Sequence, residues 1–124
     1  MASPKKRTYW KKVLADVSGA GLTDPGDGIL IRTPASGYKV IVTKAVFALA
    51  TTQQIKWYYG TDDPDAAGNS TIFHHPSMSH LSMYQVEPGS DHFRESGSGD
   101  ESSYIAIQAG TNHNIVIWGY DEEV

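Results

Sequence analysis

The sequence predicts an all-β protein, a single-domain antiparallel β-sandwich or jelly roll of about eight strands. Its apolar stretches are short and rich in β-branched residues, and Gly, Pro, Asn and Asp recur between them as turn formers. Sustained i, i+3, i+4, i+7 patterning, which would indicate a helix, is missing. A length of 124 residues suits one domain, and no internal repeat suggests a second.

The strongest strand signal is the stretch Tyr38–Leu49. Strict alternation would place Ile41, Thr43, Ala45, Phe47 and Leu49 on one face, and Lys44 on the other. The first set is therefore the predicted core face. A strand of about 12 residues is longer than usual, which suggests a bend or a bulge within it.

The other strands are predicted at short intervals along the chain, separated by Pro- and Gly-containing turns and by the polar loops 60–69 and 97–102. Two are expected on either side of Pro76-Ser77, and a turn is expected at Pro88-Gly89. The predicted ranges are 9–17, 28–33, 54–59, 71–75, 80–86, 92–95, 104–109 and 114–120. In the first of them, Trp10 and Leu14 are candidates for burial.

Charge divides the chain into a basic N-terminal arm (1–12) and a sandwich domain (13–124). Five of the ten Lys and Arg residues lie in the arm, whereas the domain has five basic and 14 acidic residues, a net charge of −9. An acidic body repels phosphates, so no direct nucleic-acid binding is expected. No apolar run approaches the roughly 20 residues that span a bilayer, and no signal segment follows the basic start, so a soluble protein made in the cytosol is expected.

No pattern of residues predicts catalysis, a cofactor or a bound metal. Adjacent His74 and His75 in a strand would point to opposite faces, which disfavours a shared ion, and the remaining histidines (His80, His92 and His113) show no ligand spacing. The stretch Asp62–Asp65 lacks the spacing of a calcium loop, and Gly97-Ser98-Gly99 is not a nucleophile elbow. The absence of cysteine excludes disulfides and thiolate metal sites. We therefore expect a non-enzyme.

Aromatic residues give some strands two apolar faces. Trp57 and Tyr59 would share one face, with Tyr58 on the other. In the last strand, Trp118 and Tyr120 would oppose the isoleucines at 115 and 117. Such a strand is either central and covered on both faces or in contact with another subunit.

The order of these features resembles small β-sandwich and jelly-roll structural proteins of tailed bacteriophage particles. Four stretches carry the resemblance: residues 36–47 (SGYKVIVTKAVF), the aromatic strand ending Tyr-Tyr-Gly60, residues 94–110 (RESGSGDESSYIAIQAG) and residues 116–123 (VIWGYDEE). Together they span about two-thirds of the chain. The resemblance implies a homo-oligomeric virion protein without a cofactor, which binds the major capsid protein or other virion proteins, most specifically a capsid decoration (cement) protein of the phage head.

In that setting the basic arm and the aromatic residues are the expected partner-binding residues: Lys5, Lys6, Arg7, Trp10, Lys11, Lys12, Tyr58, Trp118 and Tyr120. The leading alternative is a carbohydrate- or receptor-binding module of a tail or fibre, in which Trp57 or Tyr58 would stack on a sugar. A third hypothesis is a metal-dependent jelly-roll enzyme using His74, His80 and His92.

Overall fold

The computed structural model describes residues 5–85 and 101–124, which fold as two packed antiparallel sheets of four strands each. No helix occurs in these two ranges. The strands, numbered along the chain, are β1 (Arg7–Val17), β2 (Ile29–Arg32), β3 (Tyr38–Ala48), β4 (Gln53–Gly60), β5 (Ser70–Met78), β6 (Leu81–Gln85), β7 (Ser102–Ile107) and β8 (His113–Glu123). The predicted all-β sandwich is confirmed.

Sheet I has the strand order β1-β8-β3-β6, and sheet II has the order β2-β7-β4-β5. Strand β8 is central, because it pairs with β1 on one side and with β3 on the other. The central position is one of the two alternatives the sequence left open, but only the inner face of β8 is covered by the other sheet, and Val116 and Trp118 on its outer face are half-buried.

The core lies between the two sheets and is formed by alternate residues of nearly every strand. Phe47, Ile55, Trp57, Ile105 and Ile117 are fully buried there. Trp10 packs against this cluster and Leu14 belongs to it, as predicted for the first strand. The Trp57 indole N–H donates to the buried Ser103 hydroxyl at 3.2 Å, so the largest core side chain has its polar atom satisfied.

Strict alternation is wrong for the first half of β3. Val40 and Val42 face the core together with Ala45, Phe47 and Leu49, whereas Ile41 is buried outside the main cluster. The register with β8 shifts between Val42 and Lys44, so the intervening Thr43 is the extra residue of a β-bulge. One inserted residue reverses the facing of everything on one side of it.

Pro76 does not end a strand, contrary to the prediction, because β5 continues through it to Met78. Strand β5 is an edge of sheet II and its register is irregular between Gln53 and Ile55 of β4, so the missing proline N–H costs no ladder bond there. The predicted strand 92–95, the turn at Pro88-Gly89 and most of the loop 97–102 lie outside the described residues.

Residues 7–12 of the predicted basic arm form the first half of β1. Ahead of them, the Glu123 N–H donates to the Lys6 carbonyl at 2.9 Å, which extends the pairing with β8. β1 is an edge strand, so Lys11 and Lys12 remain exposed while Trp10 packs against the core.

Candidate protein-binding surface

The outer face of sheet I, which points away from the core, has an apolar row across all four strands. Register pairs Val13 with Val116, Val116 with Val46, and Val46 with Met83, so these four side chains stand side by side. Val13 is 55% exposed and Met83 64% exposed. Next to the row, Leu81 is 69% exposed opposite Ala48. Val116 and Val46, between Val13 and Met83 in the row, are half-buried. A contiguous apolar row with exposed side chains at both ends is typical of an interaction surface.

A second row parallel to the first joins Lys11, Trp118 and Lys44. The Lys44 ammonium nitrogen lies 4.9 Å from the centroid of the Trp118 ring, a cation–π contact. Trp118 is half-buried and Lys11 is exposed. Trp118, which the sequence predicts as a partner-binding residue, therefore lies on this face with a lysine on each neighbouring strand.

A third row consists of Tyr9, Tyr120 and Ile41. Tyr120 is covered, because the Tyr9 ring lies 5.4 Å from its centroid and the Arg7 guanidinium lies 4.5 Å from it. Only 4% of Tyr120 is exposed, whereas Tyr9 is 71% exposed. A partner at this end of the face would touch Tyr9 and Arg7 first, and Tyr9 was not among the residues predicted from the sequence.

Of the other predicted partner-binding residues, Lys5 and Lys6 are exposed ahead of β1, and Lys12 is exposed on the opposite side of β1 from Lys11. The prediction that Trp10 is a partner-binding residue is wrong. Its side chain points between the sheets, and its indole N–H donates to Asp121 at 2.9 Å. The sheet places it on the core side because it alternates with Tyr9 and Lys11.

The prediction that Tyr58 is a partner-binding residue is also wrong, because Tyr58 has no exposed surface. Its ring stacks on Tyr104 at 5.8 Å on the outer side of sheet II, and the loop at 61–69 covers it. Two hydrogen bonds fix that loop in place, because the Gly26 and Gly28 N–H groups both donate to the Asp62 carbonyl. Trp57 is fully buried as well, so neither ring proposed for sugar stacking is accessible.

The Tyr58 hydroxyl is buried and has no hydrogen-bond partner among the described residues. Burial, with smaller contributions from Tyr104 and nearby aspartates, raises the pKa of this phenol well above its usual value. Because the unfolded chain ionises this phenol first, the free energy of unfolding falls as the pH rises above about 10, the ordinary tyrosine value.

Replacement Tyr58→Phe should therefore leave the free energy of unfolding unchanged or raise it by about 1 kcal/mol at neutral pH, because it removes an unsatisfied buried hydroxyl. It should also reduce the loss of stability between about pH 9 and pH 11. Urea unfolding at both pH values measures this, with Tyr104→Phe as the control for a half-exposed tyrosine. A loss of more than about 1 kcal/mol at neutral pH would show that the hydroxyl has a partner.

The histidines of the described ranges are dispersed, and no group of three His, Asp or Glu residues there could hold a metal ion. His74 contacts Gln54 at 2.9 Å, and His75 accepts the Ser77 N–H. The buried His113 accepts the Ala50 N–H at Nδ1 and lies 2.7 Å from the Ala109 carbonyl through Nε2, so it fastens two loops. His92, the third ligand of the metal-enzyme hypothesis, lies outside the described residues.

The sequence analysis did not predict one buried ion pair. Arg32 of β2 donates to both carboxylate oxygens of Asp121 of β8, at 2.6 Å from Nη2 to Oδ2 and 3.2 Å from Nε to Oδ1. Asp121 is 3% exposed and joins the two sheets. The sequence places Asp121 in an acidic terminal tail, and no local signal connects it with an arginine 89 residues away.

The fold and this surface define a class: an antiparallel β-sandwich with one sheet face that is apolar, lysine-flanked and unpaired among the described residues. No described helix could cross a membrane. No protein-family model matches the chain, and no curated protein matches it. A solved structure described as the cyanophage Pam1 capsid asymmetric unit is similar over 100% of this chain and 89% of that chain, with a TM-score of 0.45 and 11% identity. Similarity at this level identifies neither a family nor an activity.

Proposed function

We propose that the chain is a structural protein of a virus particle, without a catalytic role, and that its specific task is capsid decoration. In this role it binds the major capsid protein or another virion protein of the head. The observation that supports the proposal is the apolar row on the outer face of sheet I, in which Val13 and Met83 are exposed and Val116 and Val46 are half-buried. The strand pattern, which resembles that of phage structural proteins, is the reason for proposing a virus particle as the location.

The apolar row is not needed to complete the core. Between the sheets, the side chains of Phe47, Ile55, Trp57 and Ile117 already leave no exposed surface. The apolar surface on the outer face of sheet I is therefore not part of the core. Burying it against a partner would contribute a favourable free energy of about 25 cal/mol per Å² of apolar surface. A protein that acts by binding another surface retains such a patch.

The sheet is also a firm platform for binding. Its central strand β8 pairs along its length with β1 and β3, and the C-terminal residue donates its N–H to the Gly37 carbonyl at 2.9 Å. Side chains held on a paired sheet lose little conformational freedom on binding, which lowers the entropic cost of association. The predicted homo-oligomer stays a prediction.

The test is co-sedimentation of the purified protein with virus particles that lack it. Wild-type protein should bind saturably, and the double variant Val13→Ser/Met83→Ser should bind at least about tenfold more weakly, because two exposed apolar side chains of the row are lost. Leu30→Ser is the matched control, since Leu30 is 45% exposed but lies on sheet II. Unchanged thermal melting of the variants would show that the fold is intact.

Failure of the wild-type protein to bind such particles would contradict the proposed function. Equal weakening by Leu30→Ser would contradict the assignment of the outer face of sheet I as the binding surface.

A further inference from the structure

The outer face of sheet I is a positively charged surface on a negatively charged protein. Among the described residues it has four cations, Arg7, Lys11, Lys39 and Lys44, and two carboxylates, Glu122 and Asp16, the latter opposite Asn114 at the end of β1. Its formal charge is thus +2, whereas the whole chain has 10 basic and 14 acidic residues and a net charge of −4. The rest of the chain is consequently at −6. A charge difference of this size between one face and the remainder orients a charged partner during approach.

The cations are arranged in two ways. Arg7 forms an ion pair with Glu122 at 2.8 Å, and Lys39 lies opposite the same carboxylate in the register. Lys11 and Lys44 lie on either side of Trp118, and in the part of the chain that the structure describes no carboxylate is within ion-pair distance of either ammonium group. Both lie one row from the apolar residues Val13, Val116 and Val46.

Face-to-face packing with a second copy is unfavourable for this surface. A two-fold interface brings the same patch of each copy together, so a charge of +2 would meet a charge of +2 around a desolvated apolar strip. Nucleic acid fits poorly too. The face has two accessible rings, Trp118 and Tyr9, but the remaining charge of −6 repels a polyanion.

We infer that the outer face of sheet I binds an acidic protein surface, one with an apolar centre that covers the valine row and with carboxylates opposite Lys11 and Lys44. The inference deepens the proposed function and rests on it for the location of that partner, the particle shell. Lysines in the row beside an apolar strip belong to the polar rim of such an interface, and they govern its approach rate and salt dependence.

A charge reversal tests the inference on particle binding. Lys11→Glu/Lys44→Glu should weaken binding by about 100-fold or more, and wild-type binding should fall several-fold from about 0.05 to about 0.3 M NaCl. Lys12→Glu is the matched control, because it makes the same charge change at an exposed neighbour on the other side of β1. It should weaken binding by less than about threefold. Zero-length carbodiimide cross-linking should join Lys11 or Lys44 to Asp or Glu of a particle protein.

The outcomes separate this inference from the function. Wild-type binding that is insensitive to salt and to the double reversal would overturn the acidic partner while leaving the particle role intact. Cross-links from these lysines to carboxylates of another copy of the chain would also overturn it, in favour of self-association.

A solution experiment tests the face without a particle. A peptide of alternating Glu and Val should shift the backbone amide resonances of Lys11, Lys44 and Val116 saturably, and a Lys-Val peptide should not. If particles fail to bind but the Glu-Val peptide binds this face, the proposed function fails and the chemistry of the partner stands. Binding of single-stranded RNA or phosphatidylserine vesicles in place of the peptide would overturn the inference.

Discussion

Replacement of Asp121 by alanine is expected to lower the free energy of unfolding by about 3–5 kcal/mol. The carboxylate is buried between the sheets and accepts from the Arg32 guanidinium and the Trp10 indole N–H. Its loss leaves a partly desolvated cation and an unpaired donor, each of which costs more than a solvated group would. Urea-induced unfolding followed by tryptophan fluorescence measures the change.

The adjacent residue supplies the control. Glu122 is also ion-paired, to Arg7 at 2.8 Å, but this pair is more exposed: its side chains are 46% (Arg7) and 13% (Glu122) exposed, against 34% (Arg32) and 5% (Asp121). Glu122→Ala should therefore cost less than about 1 kcal/mol, since solvent screens an exposed pair. Similar losses for the two variants would contradict the view that burial, rather than charge pairing itself, makes Asp121 important. Arg32→Met with Asp121→Leu, an apolar replacement of both partners, should recover part of the loss.

Replacement of Phe47 by alanine should cost about 3–5 kcal/mol, because its side chain is fully buried and the sheets cannot close over the cavity without shifting. Phe47 lies after the bulge of β3, where the sequence-based facing and the observed facing agree. The measurement is again the free energy of unfolding from urea titration at neutral pH.

Val46→Ala is the matched control for Phe47, since it is the preceding residue of the same strand and its side chain lies on the outer face, half-buried. A cost below about 1 kcal/mol is expected there. A larger loss for Val46→Ala than for Phe47→Ala would mean that the faces of β3 are reversed. Because Val46 also belongs to the apolar row, the same variant should bind particles more weakly, which separates binding from stability at one position.

The predicted elements were recovered well because they depend on local pattern. Seven of the predicted strands correspond to strands of the structure, and the eighth observed strand is Tyr38–Ala48 itself, with bounds close to those expected. β-branched runs and intervening turn formers are properties of neighbouring residues, so a sequence reveals them directly. The two local errors, at Thr43 and Pro76, arose where a bulge or an edge position relaxes the usual alternation.

The candidate surface was predicted only in part, because a binding face collects residues from strands far apart in the chain. The basic arm and Trp118 were identified from charge and aromatic content, and both supply residues to the outer face of sheet I. Met83 and Tyr9 were not predicted, because an exposed apolar residue indicates a binding surface only when its cross-strand neighbours are known. Tyr58 was wrongly assigned because a loop, rather than its own strand, covers it.

The sequence by itself determined the all-β class, the separation of a basic start from an acidic body, and the presence of two apolar faces on the last strand. Those properties follow from composition and from the two-residue period of a strand. Tertiary structure alone decided which apolar faces meet and which remain in solvent. Strand order and register bring Val13, Val46, Met83 and Val116 into one row, and pair Arg32 with Asp121 across the sheets. Contacts between residues distant in the chain depend on how the sheets pair and pack, which no local pattern encodes.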